Sequence, residues 1–222
     1  MSTKKTVLAL KTVLWIAALL PAAWLARGLV QGELGPNPIE TLTRVTGMTA
    51  LVLLLVTLTV TPFRRVTGWN PVIKLRRPLG LFAFFYAVLH FSIWFVFDMV
   101  FNVQYMLEDI AERKYITVGM AALLVLIPLA VTSTRGWIRR LGKKWAKIHR
   151  GAYLATALAV VHYFWVVKAD TRLPILLGLC LAVLLVARLP AFAPGKQKRG
   201  GGGSRASADE SVGEKAPSAS VG

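Results

Sequence analysis

Residues 79–98 read LGLFAFFYAVLHFSIWFVFD, an apolar run without a charged residue until Asp98. An α-helix needs about 20 predominantly apolar residues to cross the hydrocarbon core of a bilayer. The run therefore predicts a transmembrane helix. It also places His90 inside that helix, where an ionisable side chain is costly and marks a functional hypothesis.

Five further apolar runs occur along the chain, at residues 8–29, 44–62, 115–134, 147–167 and 173–189. Hydrophobic residues make up 55% of the sequence and its mean hydropathy is +0.58. We therefore predict an all-α fold, an integral membrane bundle of six transmembrane helices in a lipid bilayer. No internal repeat is evident in the sequence.

The charged residues predict the orientation of this bundle. The formal net charge of +17 would suggest a nucleic-acid partner in a soluble protein, but most of the 27 lysines and arginines fall in alternate connections and in the C-terminal tail. Most of the ten acidic residues fall in the opposite connections. This asymmetry follows the positive-inside rule, so we predict that both termini are cytoplasmic and that no nucleic acid is bound.

The chain divides into a membrane domain at residues 1–190 and a tail at residues 191–222. The tail is rich in Gly, Ser and Ala and lacks apolar periodicity, so we predict that it is disordered. The single cysteine, Cys180, excludes an intrachain disulfide and a cysteine-ligated iron–sulfur cluster, and we expect it to be a small buried residue.

The connection at residues 99–114, MVFNVQYMLEDIAERK, mixes apolar and acidic residues at helical spacing. It predicts a short helix that lies on the membrane surface. Acidic side chains that face a soluble partner, or simply solvent, account for the pattern equally well.

His90 and His162 are predicted to lie at the same depth in the membrane. Each is eight residues before an aspartate that ends its helix, Asp98 or Asp170, which corresponds to about 12 Å at 1.5 Å per residue. The third and fifth helices run in the same direction. Two imidazoles at equal depth among aromatic residues favour axial ligation of one haem iron over two unrelated buried histidines.

His149 lies about 20 Å along the helix from His162. A spacing of 13 residues also turns the two side chains about 140° apart. On spacing alone, His149 fits a second haem nearer the cytoplasm and a basic interfacial residue equally well.

Two alternative functions are less consistent with the residues. A six-span transporter is disfavoured because the apolar runs lack Asp, Glu and Lys, which commonly form ion and proton relays. A ferric reductase driven by flavin or NADPH would need a nucleotide-binding domain, for which the sequence shows no glycine fingerprint. A separate partner subunit that supplied this domain would keep the second alternative open.

Three motifs together resemble one known family, MsrQ (also called YedZ), within the ferric-reductase-like transmembrane group. They are RRPLG at 76–80, LHFSIWF around His90, and KIHRGAYL around His149 with His162 thirteen residues later. The likeness covers about residues 8–190.

The resemblance implies a b-type cytochrome of the bacterial inner membrane. Such a protein takes electrons from membrane quinol and passes them to a periplasmic, molybdopterin-containing methionine sulfoxide reductase. His90, His149 and His162 match the family's haem-associated, metal-binding histidines, and Arg76 and Arg77 match an arginine pair linked to FMN. NADPH oxidases of the same group carry a fourth histidine that this chain lacks, so two bis-histidine haems are excluded.

Overall fold

The fold was derived from a computed structural model that describes residues 3–188, and every regular element in that part of the chain is helical. The helices are α1 (Thr3–Gln31), α2 (Pro38–Thr67), α3 (Arg76–Ile93), α4 (Val103–Glu112), α5 (Lys114–Val131), α6 (Arg135–Leu141), α7 (Lys143–Ile148), α8 (Gly151–Val166) and α9 (Arg172–Val186). A 3-10 turn, Asn70–Leu75, precedes α3, and a π-helical turn, Trp94–Asp98, continues it. The predicted all-α class is confirmed. The tail predicted at 191–222 lies outside the described residues.

Four helical segments are long and apolar enough to cross a membrane: Lys4–Gln31, Pro38–Thr67, Asn70–Asp98 and Lys114–Val131. The fifth and sixth predicted spans coincide with α8 and α9, which have 16 and 15 residues. At 1.5 Å per residue these helices are about 24 Å long or slightly less, shorter than the roughly 30 Å hydrocarbon core. The count of six spans therefore stays a prediction.

Local sequence signals explain where α2 begins and ends. Asn37 caps its first turn by accepting a hydrogen bond from the backbone N–H of Glu40, and Pro38 occupies the first helical position, where no N–H is needed. Gly68 terminates the helix with φ 68°. That left-handed conformation is routinely adopted by glycine.

Two helix pairs form the centre of the molecule, α2 with α3 and α5 with α8. The second pair repeats the first after a shift of 72 residues, the difference between Gly47 and Gly119. GMTAL at 47–51 corresponds to GMAAL at 119–123, and AFFYAVLH at 83–90 corresponds to ATALAVVH at 155–162. Our expectation from the sequence, that the chain has no internal repeat, is therefore wrong. The matching positions are scattered along two helices, and they stand out only once the helix pairing is known.

Corresponding residues of the two pairs meet in one core cluster. Leu54 and Ala83 pack there with Leu126 and Ala155, and the second two residues are the counterparts of the first two. Both alanines are fully buried. Such self-matching contacts are expected when two copies of a unit face each other across an approximate two-fold axis.

The remaining helices pack around this repeated core. α9 joins a cluster with α2 through Leu51, Leu55, Leu58, Leu181 and Leu184. Cys180 lies on the exposed side of α9, so the expectation of a buried cysteine is wrong. The predicted short helix in the 99–114 connection is confirmed as α4, and its apolar residues Val103 and Leu107 are exposed. Its position on the membrane surface stays a prediction.

Candidate functional site: a paired-histidine centre

His90 on α3 is held by the backbone of α2. Its Nδ1 lies 2.9 Å from the carbonyl oxygen of Thr43, and the hydroxyl of Thr46 lies 3.5 Å from the same nitrogen. A carbonyl oxygen only accepts hydrogen bonds, so Nδ1 carries the proton and donates it. The other ring nitrogen, Nε2, is then left with a free lone pair in the neutral imidazole.

His162 on α8 is held by α5 in the same way. Its Nδ1 lies 2.6 Å from the carbonyl oxygen of Tyr115, the counterpart of Thr43 in the repeat. Donation to a backbone carbonyl is the usual way in which proteins fix the tautomer and the orientation of a metal-binding histidine. Each helix pair therefore presents one imidazole whose Nε2 is free to bind a metal.

The two rings are neighbours across the interface between the helix pairs. Their centroids are 6.2 Å apart and their planes cross at 82°. An imidazole nitrogen binds a first-row metal at about 2.0 Å and lies about 1.1 Å from its ring centroid, so two rings on opposite sides of one metal have centroids about 6.2 Å apart. The observed spacing fits a single metal atom between His90 and His162.

The donor set around this pair fits a haem. Within residues 3–188, no group of three or more His, Cys, Asp or Glu side chains could hold a metal ion. Two histidines alone do not complete the coordination of a protein-bound metal, but they suffice for an iron that already has a porphyrin. The surroundings are apolar and aromatic, with Phe91 next to Trp94 and Tyr115 next to the His162 ring.

Glycine lies against each ring. An added Cβ at Gly47 would be 2.9 Å from Cε1 of His90, and one at Gly119 would be 2.7 Å from Nδ1 of His162. Both glycines follow the accepting carbonyl by one helical turn. These features were missed from the sequence, because a carbonyl belongs to every residue. The repeat of GM-x-AL before each histidine was the one signal that could have revealed them.

The structure does not bring His149 to this pair. His149 lies in the turn between α7 and α8, stacked on Trp145 with centroids 3.9 Å apart. Its Nδ1 is 3.3 Å from the carbonyl oxygen of Trp145, and its Nε2 is 3.4 Å from the hydroxyl of Ser133. The Ser133 hydroxyl already donates to the Leu129 carbonyl at 2.7 Å and so cannot also donate to Nε2. His149 precedes His162 by 13 residues, about 20 Å at helical rise.

The two arginines of the predicted pair lie in different surroundings. Arg76 is half-buried and within electrostatic reach of Arg188, Tyr153 and His149, whereas Arg77 is exposed. Arg188 donates hydrogen bonds to the Tyr153 hydroxyl and to the Leu58 carbonyl. The ion pairs found in residues 3–188 lie elsewhere, between Glu40 and Arg44 and between Asp109 and Arg113. The cluster around Arg76 is thus cationic.

The fold and the centre together define a class. Residues 46–160 match the family described as "Ferric reductase like transmembrane component", a stretch that includes both glycines and His90 and ends two residues before His162. The chain is a multi-pass membrane protein of this ferric-reductase-like class. No solved structure matches it.

Curated relatives narrow the class. The protein-methionine-sulfoxide reductase heme-binding subunit MsrQ of Herminiimonas arsenicoxydans is 50% identical over 183 residues, which cover 81% of this chain and 84% of the relative. The proteins of the same name from Rhodospirillum rubrum and Bordetella pertussis are 47% and 45% identical, over 81% and 86% of this chain and 86% and 93% of their own lengths. The chain belongs to the MsrQ family.

Proposed function

We propose that this chain is the haem-binding membrane subunit of a methionine sulfoxide reductase system and that His90 and His162 hold one haem b. The observation that carries the proposal is the ring pair, 6.2 Å between centroids with both Nδ1 atoms bound to carbonyls. The names of the relatives support it. A bound haem supplies one-electron redox chemistry, and residues 1–190 form its membrane domain.

The protein's own residues orient and tune the centre in this proposal. The Thr43 and Tyr115 carbonyls hold the protons on Nδ1 and thereby raise the basicity of the ligating nitrogens. A haem iron held by these more basic nitrogens of His90 and His162 would have a stabilised ferric state and a lower reduction potential. The apolar helices around the rings exclude water and keep the histidines neutral.

We further propose the route of the electrons. Quinol in the bilayer of the bacterial inner membrane donates them, and a periplasmic molybdopterin-containing reductase accepts them at the paired-histidine end. The charge distribution supports this orientation, with cytoplasmic termini and six spans. The acidic residues of α4 lie at that end, whereas the basic cluster of Arg76, His149 and Arg188 lies at the other.

The cluster around Arg76 is a proposed anion site for FMN. Guanidinium groups bind phosphate with paired, charge-assisted hydrogen bonds, and the cluster contains two arginines and the Tyr153 hydroxyl. Arg77 is exposed and would serve only as a second charge near this cluster. A second haem at His149 is less well supported, because the chain has three histidines and the other two lie next to each other, which leaves His149 without a histidine partner.

The visible spectrum of the detergent-extracted protein, before and after dithionite, tests the haem assignment. Replacing His90 or His162 by alanine should remove the reduced α and β bands, because each variant leaves the iron with one protein ligand. His149→Ala is the matched comparison and should keep them. Full haem content in either His90→Ala or His162→Ala would refute the ligand pair.

A ferric reductase driven by a separate flavin or NADPH partner is the second candidate, favoured by the family match and by the cationic cluster at Arg76. The electron donor separates the two functions. Quinol added to the purified protein should reduce the haem, whereas NADPH with a flavin reductase should be required if the second candidate is right.

A further inference from the structure

Each ring of the paired-histidine centre is held against a helix at a position without a side chain. A Cβ on Gly47 would lie 2.9 Å from Cε1 and 3.0 Å from Nδ1 of His90. A Cβ on Gly119 would lie 2.8 Å and 2.7 Å from the same atoms of His162. Non-bonded carbon atoms in contact are separated by about 3.5–4.0 Å, so a methyl group would overlap both rings.

The same ring edge also makes the hydrogen bond to the helix. Nδ1 of His90 reaches the Thr43 carbonyl, one turn before Gly47, and Nδ1 of His162 reaches the Tyr115 carbonyl, one turn before Gly119. The hydrogen bond sets the direction of the ring, and the bare helix surface at the glycine sets how closely its plane can approach. Two contacts on one edge fix the rotation of the imidazole.

We infer that Gly47 and Gly119 are positioning residues for the axial imidazoles, which they allow to lie in the near-perpendicular arrangement observed. This inference rests on the proposed haem between His90 and His162. A histidine with free ends would swing away from an added methyl group at little cost. These rings are bonded at Nδ1 and, with haem, at Nε2, so an alanine must rotate the ring or lengthen its hydrogen bond.

Two measurable properties depend on that geometry. Axial imidazoles with perpendicular planes, as at 82° here, keep two iron d orbitals close in energy, which gives the ferric form an unusually high largest g value in electron paramagnetic resonance. Rotation of one ring lowers this g value. A weaker bond from Nδ1 to its carbonyl makes the ligand less basic, so the reduction potential rises.

The experiment compares Gly47→Ala and Gly119→Ala with two other glycine variants in the full-length, haem-loaded protein. A Cβ at Gly80, on the same helix as His90, meets nothing within 4 Å. A Cβ at Gly151 would be 3.2 Å from Leu129 and 3.3 Å from Val125, away from the rings. Gly80→Ala therefore controls for helix propensity, and Gly151→Ala controls for crowding. Haem content, g values, potential and helical circular dichroism are measured for all four.

We expect Gly47→Ala and Gly119→Ala to lower the largest g value and raise the potential, or to lose haem while their helical signal equals that of Gly151→Ala. Both controls should match the unmodified protein in g value and potential. Unchanged g value and potential in the two test variants would overturn the inference, as would a loss of haem only in proportion to lost helical signal. If the unmodified protein has no bis-histidine signal, the proposed function itself fails.

Discussion

Tyr86 shows how one hydroxyl can join two helices inside a bilayer. It is fully buried on α3, and its oxygen donates to the Ala18 carbonyl at 2.6 Å and accepts from the Ala22 N–H at 3.0 Å. These are the two backbone groups that an unbroken α-helix joins to each other, and Pro21 lies between them in α1. Side-chain insertion next to a proline satisfies polar groups that lipid cannot.

Tyr86→Phe should therefore destabilise the protein by about 1–3 kcal/mol, because two buried backbone groups lose a partner. For a chain of this size, that cost lowers the midpoint of thermal unfolding by about 2–4 °C per kcal/mol. The midpoint is measured in detergent. Tyr105→Phe removes an exposed hydroxyl and should change nothing. An equal midpoint for the two variants would contradict the role given to the Tyr86 hydroxyl.

At the level of single residues, the sequence predicted that His90 and His162 would share a depth, since depth follows from the count of residues to a charged helix end. It could not predict what holds their rings. Thr43 and Tyr115 orient the rings through main-chain oxygens, and Gly47 looks like any small residue until its neighbour is known. Close approach between helices is a property of the pair and not of either sequence segment.

Among the helices, the end of α4 is stabilised by an ion pair between the nearly buried side chain of Asp109 and the exposed side chain of Arg113. The Asp109 side chain is only 10% exposed, and its Oδ1 accepts from Nε of Arg113 at 2.8 Å, where α4 gives way to α5. Hydrogen bonding to Tyr115, together with the carboxylate of Asp109, raises the pKa of Arg113 above its ordinary value. The pair therefore fixes the turn that leads from α4 into α5.

Arg113→Gln should destabilise the protein by about 1–3 kcal/mol, because the buried carboxylate is left with an incomplete partner. The combined variant Asp109→Asn with Arg113→Gln should recover part of the loss, since it removes the unpaired charge. Thermal unfolding and limited proteolysis in the 99–114 connection measure both. Arg44→Gln breaks the ion pair with Glu40, whose two side chains are 74% and 57% exposed. This variant should lower the free energy of unfolding by no more than about 1 kcal/mol. A combined variant no more stable than Arg113→Gln would contradict this explanation.

Helix boundaries were predicted well where an apolar run ends at charged residues. They were predicted poorly where a turn of the backbone divides a run into two helices. The run predicted at 147–167 includes Lys147, Arg150 and Gly151 at its start, and the structure ends α7 at Ile148 and begins α8 at Gly151. The turn between them includes His149, whose ring stacks on Trp145. Mean hydropathy over a long run does not resolve a short turn of this kind.

For the whole molecule, the predicted orientation can be tested with single cysteines in a Cys180→Ser background. Glu33→Cys, in the exposed α1–α2 connection, should react with a membrane-impermeant maleimide added outside intact spheroplasts. Lys74→Cys, exposed at the opposite end of α2, should react only after permeabilisation. The expectation follows from the excess of basic residues at the Lys74 end. Labelling in the reverse order would invert the proposed direction of electron delivery.

The repeat departs from symmetry where α1 binds. Tyr86 has Leu158 as its counterpart, and the hydroxyl that contacts α1 is thus present in one helix pair only. The sequence predicts α1, which has 29 residues, as a membrane span. It does not predict that α1 contacts α3 through Tyr86. Packing between spans depends on such isolated polar contacts, which no hydropathy pattern encodes.

The duplicated arrangement has a practical consequence for engineering. A peptide of residues 38–98 includes one imidazole, the carbonyl that orients it and the bare helix surface behind it. Two identical copies of this peptide, packed on each other as α2–α3 packs on α5–α8, would place two such imidazoles next to each other. If the proposed haem site is right, a single short gene could encode a minimal cytochrome that assembles as a homodimer, in which each change near one histidine is repeated near the other.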